Sequence, residues 1–179
     1  MENLPRVEIL LHSIHYFDFI RSILGDPNGV KAKTLGFPGE KTSNTRTTAI
    51  LDYGSDIRCA LTINHNHNFG RKYQACEFRI CGTKGAAYVQ LGVNLNYPKG
   101  EPDILEINLG EEWVNIPLRG SWFIESFGNR MSQLQRYING EESELIASVK
   151  DSWNTMALVE AAYKNSENPG TLIPKYIGR

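Results

Sequence analysis

The chain changes its hydrophobic period twice. From residue 13 to 24 the pattern is helical: Ile14, Phe17, Arg21 and Leu24 share one face, and Gly25-Asp26-Pro27-Asn28-Gly29 stops it. An extended lead up to Leu11 is expected before this helix, with Pro5 keeping Leu4 out of the helical region. From Val30 to about Leu118 the period becomes two. Residues 30–35 and 47–53 alternate, and Gly54-Ser55-Asp56 turns into a third alternating run, 57–63. Gly82-Thr83-Lys84-Gly85 joins 75–81 to 86–91, and Gly110-Glu111-Glu112 joins 104–109 to 113–118. Alternating runs around short glycine-bearing turns predict antiparallel hairpins. Then the helical period returns. About 121–139, Phe123, Phe127, Met131, Leu134 and Ile138 form a stripe ended by Gly140. From Ser148, where Ser148 and Asp151 resemble a capping box, the stripe is Val149, Trp153, Met156, Val159 or Glu160, and Tyr163. Both stripes read as core.

Helix, strands, then helices predict a segregated α+β fold: a largely antiparallel sheet with helices packed on one face. The other face is available for oligomerisation, since Tyr88, Val89, Leu91, Ile104 and Leu105 give it apolar surface. The 179 residues suit one domain, 1–179, with a core that needs no staples.

Charge and cysteine content narrow the function classes. A net charge of −1 argues against a generic nucleic-acid surface. Cys59, Cys76 and Cys81 are odd in number and form no C-x-x-C pair, as expected for reduced thiols in a cytoplasmic protein. Glu2, Arg6 and Glu8 interrupt any signal-like apolar run, and no stretch approaches the roughly 18 apolar residues of a membrane span. No two glycines are two apart, so there is no G-x-G-x-x-G turn, and no phosphate loop either.

Two histidine clusters carry the candidate chemistry. His12, His15 and Asp18 are each three apart on the first turns of the predicted helix. The plain alternative is that His12 caps or packs while His15 bonds Asp18. The second cluster runs Asn64-His65-Asn66-His67-Asn68-Phe69-Gly70-Arg71-Lys72. On an extended segment His65 and His67 point one way and the asparagines the other. Amides, imidazoles and Arg71 suit a polyhydroxylated or anionic small molecule, and a solvated loop is the alternative. His12-x-x-His15 and His65-x-His67 also have spacings that metal ligands use, although no H-E-x-x-H and no cysteine spacing supports a metal.

Residues 10–25 resemble the opening of the C-terminal domain of the Gfo/Idh/MocA oxidoreductases, through Ser13, His15, Asp18, Arg21 and Gly25. Phe78-Arg79-Ile80-Cys81-Gly82-Thr83-Lys84-Gly85 is similar to that family's strand and G-T-x-G turn. Gly120-Ser121-Trp122-Phe123 to Phe127, the 157–163 segment and Ile173-Pro174 are similar to its last helices and end.

The resemblance implies the substrate-binding and dimerisation domain of an NAD(P)-dependent sugar, inositol or polyol dehydrogenase. NAD or NADP and a catalytic lysine would sit on a preceding Rossmann domain, so this chain alone would bind no cofactor and be inactive. It implies His15 as the catalytic residue beside the reacting hydroxyl, and Asp18 and Arg21 as structural or orienting. His12, Asn64, His65, His67 and Arg71 are the expected substrate contacts. A sugar or polyol is the expected ligand and a homo-oligomer through the open sheet face the expected assembly. One departure stands out: where the family often has an acidic residue four before the histidine, this chain has Leu11. That leaves room for His12 to share the role of base, or for a stand-alone metabolite-binding or assembly module.

Overall fold

Alternation of small, β-branched and apolar residues builds the first sheet. In the computed structural model, which describes residues 6–39, 44–93 and 98–174, β2 (Arg46–Asp52) buries every second residue. It pairs antiparallel with β1 (Gly29–Leu35) on one side and β3 (Arg58–Asn64) on the other. Residues directly opposite share a face, so Ala32, Ala49 and Leu61 line up across the sheet, as do Val30, Leu51 and Cys59. Helices α1 (Ile14–Leu24) and α3 (Val149–Ser166) close this face, with Phe17 and Ile20 from α1 and Leu158, Val159, Ala162 and Tyr163 from α3. The opposite face, with Thr48, Ile50 and Thr62, is exposed. Helix α3 also covers the β1 edge. Asn165 Oδ1 accepts from the Ala32 N–H at 2.8 Å and Ser166 Oγ from the Thr34 N–H at 2.9 Å, satisfying edge donors that would otherwise invite another strand.

The chain divides into two compact units, residues 1–66 with 147–179, and 67–146. The second holds a four-stranded antiparallel meander, β4 (Cys76–Gly82), β5 (Gly85–Leu91), β6 (Ile104–Asn108) and β7 (Val114–Asn115), and helix α2 (Ile124–Ile138). Register puts Phe78, Val89 and Leu105 on one face with Ile80, Ala87, Ile107 and Val114, while Arg79, Tyr88 and Glu106 lie on the other. None of these strand residues is fully buried. No described helix is long and apolar enough to cross a membrane.

The α+β class and antiparallel pairing agree with the sequence, but four details differ. The expected continuous sheet is two sheets, because the polar 65–75 segment forms no ladder and turns at Gly70 and Tyr73, both at positive φ. The expected extended lead is a π-helical turn, Ile9–Ser13, running into α1, while Leu4 and Pro5 lie outside the described residues. The α2 stripe is not core: Phe127 is 65% and Ile138 72% exposed. The α3 stripe is rotated. Trp153 is 73% exposed, and the buried line is Thr155, Leu158, Val159, Ala162, Tyr163 and Ser166. Polar anchors choose that face, since Arg21 bonds Thr155 and Ser166 bonds β1.

Candidate functional site

The π-helical turn decides what the first unit can do. In such a turn the N–H reaches five residues back, as the Ile14 N–H does to the Ile9 carbonyl. The same offset brings Ser13 onto Glu8, whose Oε1 accepts its hydroxyl. Glu8 is fully buried, and its Oε2 has no hydrogen-bond partner among the described residues. Burial pushes its carboxyl pKa above the ordinary value, against the opposing pull of the Ser13 and Thr47 hydroxyls and of the His65 charge. Sequence reasoning treated Glu8 only as a break in an apolar run. The available signal was a lone carboxylate inside Val7-Glu8-Ile9-Leu10-Leu11, which is either buried with a purpose or very costly.

His12, within the same turn, stacks on His65, the first residue after β3, with ring centroids 3.5 Å apart and planes at 22°. The His65 N–H donates to the Thr45 carbonyl at 2.9 Å and the Glu8 N–H to the Asn44 carbonyl at 3.1 Å, so the entry to β2 holds both residues in place. His12 Nδ1 is buried and lacks a hydrogen-bond partner among the described residues. Burial lowers the His12 pKa, and the charges of His65 and His15 lower it further. His15 is exposed on the first turn of α1, within electrostatic reach of His12.

Asp18 and Arg21 do not serve these imidazoles. Arg21, with its side chain 6% exposed, bonds Asp26 through Nε at 2.6 Å, the Thr155 hydroxyl at 2.5 Å and Asp151 at 3.3 Å. Thr155 in turn donates to Asp18 at 2.6 Å. The plain reading of a His15–Asp18 bond therefore finds its carboxylate otherwise engaged. Burial alone would lower the Arg21 pKa, but the bonds and charges of Asp26 and Asp151 outweigh it and raise the value.

The remaining expected contacts are spread more widely. Asn64 closes β3 on the outward register, opposite Arg46, and its Oδ1 accepts from the Asn66 N–H at 3.1 Å. His67 and Arg71 belong to the second unit. There His67 Nε2 lies 3.2 Å from the Lys72 carbonyl, and Arg71 pairs with Glu101 and donates to the Gln74 carbonyl at 2.7 Å. The structure thus stacks His12 on His65, with His15 within electrostatic reach of His12. Among the described residues no group of three or more His, Cys, Asp or Glu side chains could hold a metal. Stacked rings also do not aim their nitrogens at one point.

Residues 9–88 match the family model described as GFO/IDH/MocA C-terminal domain. That segment is similar to this family. The resemblance read from the sequence is borne out over this stretch. The chain is also similar to an oxidoreductase from Agrobacterium radiobacter in complex with NAD+, L-tartaric acid and magnesium, with 24% identity and TM-score 0.70, covering 92% of this chain and 48% of that one. It is similar to a candidate NADPH-dependent oxidoreductase from Desulfitobacterium hafniense, with 15% identity and TM-score 0.69, covering 87% and 45%. An aldose-aldose oxidoreductase from Caulobacter crescentus complexed with glycerol gives 15% identity and TM-score 0.64, covering 86% and 43%. These likenesses show the fold. The chain spans about half the length of the solved chains it matches. No curated protein matches it.

All strand pairing among the described residues is antiparallel, so no strand-helix crossover presents a glycine turn and helix N-terminus to a pyrophosphate.

Proposed function

We propose that this chain is the substrate-side domain of an NAD(P)-dependent, cytoplasmic oxidoreductase acting on a hydroxyl group of a sugar, inositol or related polyol. The observation that carries this reading is the gathering of His12, His15 and His65 at one corner of a Gfo/Idh/MocA-type domain. His15 is the exposed member, placed to accept a hydroxyl proton and return it in the reverse direction. His12 and His65 hold the neighbouring oxygens. Asp18 and Arg21 fix the helix that carries His15. The proteins complexed with L-tartaric acid and with glycerol support a polyhydroxylated ligand.

Assembly through the second unit belongs to the same proposal. Its apolar sheet face and the α2 stripe offer the surface, while a shallow cavity of about 370 Å³ beside Arg79, Cys81, Tyr88 and Trp113 lies on the sheet's other face. The exposed Leu11, in place of the carboxylate expected there, favours a second reading in which the corner binds polyols without oxidising them. Ligand binding is tested by NMR titration of the chain with myo-inositol, glycerol and L-tartrate. The proposal expects at least one to shift the rings of His12, His15 and His65, with the effect weakened in His15→Ala. Shifts confined to other residues, or none with any of the three, refute it.

A further inference from the structure

Thr155 sits where an apolar side chain would serve the core. It is 3% exposed, on the α3 face that carries Leu158, Val159 and Ala162, and valine would fill nearly the same shape. Its hydroxyl instead joins two groups of α1. Arg21 Nη1 donates to Thr155 Oγ1 at 2.5 Å, and the hydroxyl donates onward to Asp18 Oδ1 at 2.6 Å. Donation from a guanidinium polarises the hydroxyl and strengthens the second bond. The direct Arg21–Asp18 contact is longer, 3.4 Å, so the hydroxyl is the closer hold on the carboxylate.

That hold matters because of where Asp18 lies. It comes three residues after His15, and side chains at that spacing on a helix are neighbours. A half-exposed carboxylate there would ordinarily turn to an exposed imidazole. The described bonds of Asp18 go the other way, to Thr155 and Arg21, and none goes to His15.

We propose that Thr155 is a positioning residue for His15: its hydroxyl turns Asp18 toward α3 and keeps the carboxylate off the imidazole. An imidazole paired with a carboxylate holds its proton to higher pH. A base that must accept a hydroxyl proton near neutrality works better unpaired. Thr155 thus acts on His15 without touching it. The other charged or titratable groups around α1 are engaged elsewhere. Asp26 and Asp151 bond Arg21, Glu8 bonds Ser13, Glu160 pairs with Arg6, and the Tyr163 hydroxyl accepts from the Leu10 N–H. His12 lies within electrostatic reach of His15 and stacks on His65. Asp18 is therefore the carboxylate that His15 would gain if the hydroxyl let go.

The proposal rests on the reading of His15 as the base, but its test needs no substrate, so the two fail separately. The His15 ring is followed by NMR across about pH 5–8 and assigned with His15→Gln. Thr155→Val releases Asp18, and the His15 midpoint should rise by about 0.2–0.4 pH unit, the strength of one such pair on a helix. Thr155→Ser keeps the hydroxyl and should keep the original curve. Adding Asp18→Asn to Thr155→Val should abolish the rise. A folded Thr155→Val chain whose His15 curve superimposes on the original overturns the proposal. So does a rise that survives Asp18→Asn, or one that Thr155→Ser produces as well. Should Thr155→Val fail to fold, Asp18→Asn alone decides, at a half-exposed position. A His15 midpoint that falls by about 0.2–0.4 pH unit in that variant means that the pair already exists and overturns the proposal, and a smaller change upholds it.

Discussion

Replacing Arg21 by Met tests how the helix bearing His15 is held. The guanidinium is nearly fully buried and bonds Asp26, Thr155 and Asp151 at 2.5–3.3 Å. Removing one partner of a buried ion pair costs about 3–5 kcal/mol when the other is stranded in the interior. Here Asp18, Asp26 and Asp151 are each roughly half exposed and can be rehydrated, which brings the expectation down to about 2–3 kcal/mol. Met keeps most of the buried stem volume, so little of this is a cavity effect. For a domain of this size each kcal/mol moves the melting temperature by about 2–4 °C, giving a drop of about 4–12 °C. Arg21→Lys keeps the charge but cannot reach Asp26, Thr155 and Asp151 at once, so it should recover less than half of the loss. Urea unfolding, with Thr155→Val in a double-mutant cycle, supplies the coupling. A loss below about 1 kcal/mol for Arg21→Met, or no coupling to Thr155, would show that α1 is held by its apolar face alone.

Three further outcomes are expected. In an enzyme form that includes a dinucleotide-binding half, His15→Ala should lower kcat by about 10²–10⁴ with little change in KM, checked by steady-state kinetics. Burial, then the charges of His65 and His15, lower the folded-state pKa of His12, so below its ordinary value near 6.5 the unfolded chain takes the proton first. Its contribution is complete above that pH and is lost as pH falls through the folded value. His12→Asn should therefore flatten the acid-side slope of stability in urea melts run across pH 5–7. Ser166→Ala strands the Thr34 N–H at the β1 edge and should cost about 1–2 kcal/mol in the same melts.

Turn chemistry made most of the strand order legible. Gly54-Ser55-Asp56 and Thr83-Lys84 fix their hairpins by local rules that no packing overrides. The α3 face was not legible, because the helix is apolar on two flanks and the choice depends on Arg21 and β1, distant in sequence. The π-helical turn was hidden for a different reason. Its five-residue offset lasts one turn and leaves no period to detect, and so Glu8 and Ser13 passed unpaired. For the same reason His12 and His65 could be named separately, while their stacking could not.

The first unit is discontinuous: its last helix comes after all of the second unit. On a ribosome, β1 to β3 emerge with their inner face bare and with Glu8 and His12 still wetted. Leu158, Val159, Ala162 and Tyr163 are made only after the whole of the second unit, residues 67–146. Until then the β1 edge is open to any passing strand. Folding of this unit is therefore late and long-range, and slow in proportion to the loop that must close before α3 can dock. A nonsense change anywhere from 67 to 157 removes every α3 residue of the core, although every residue of the histidine corner has already been synthesised.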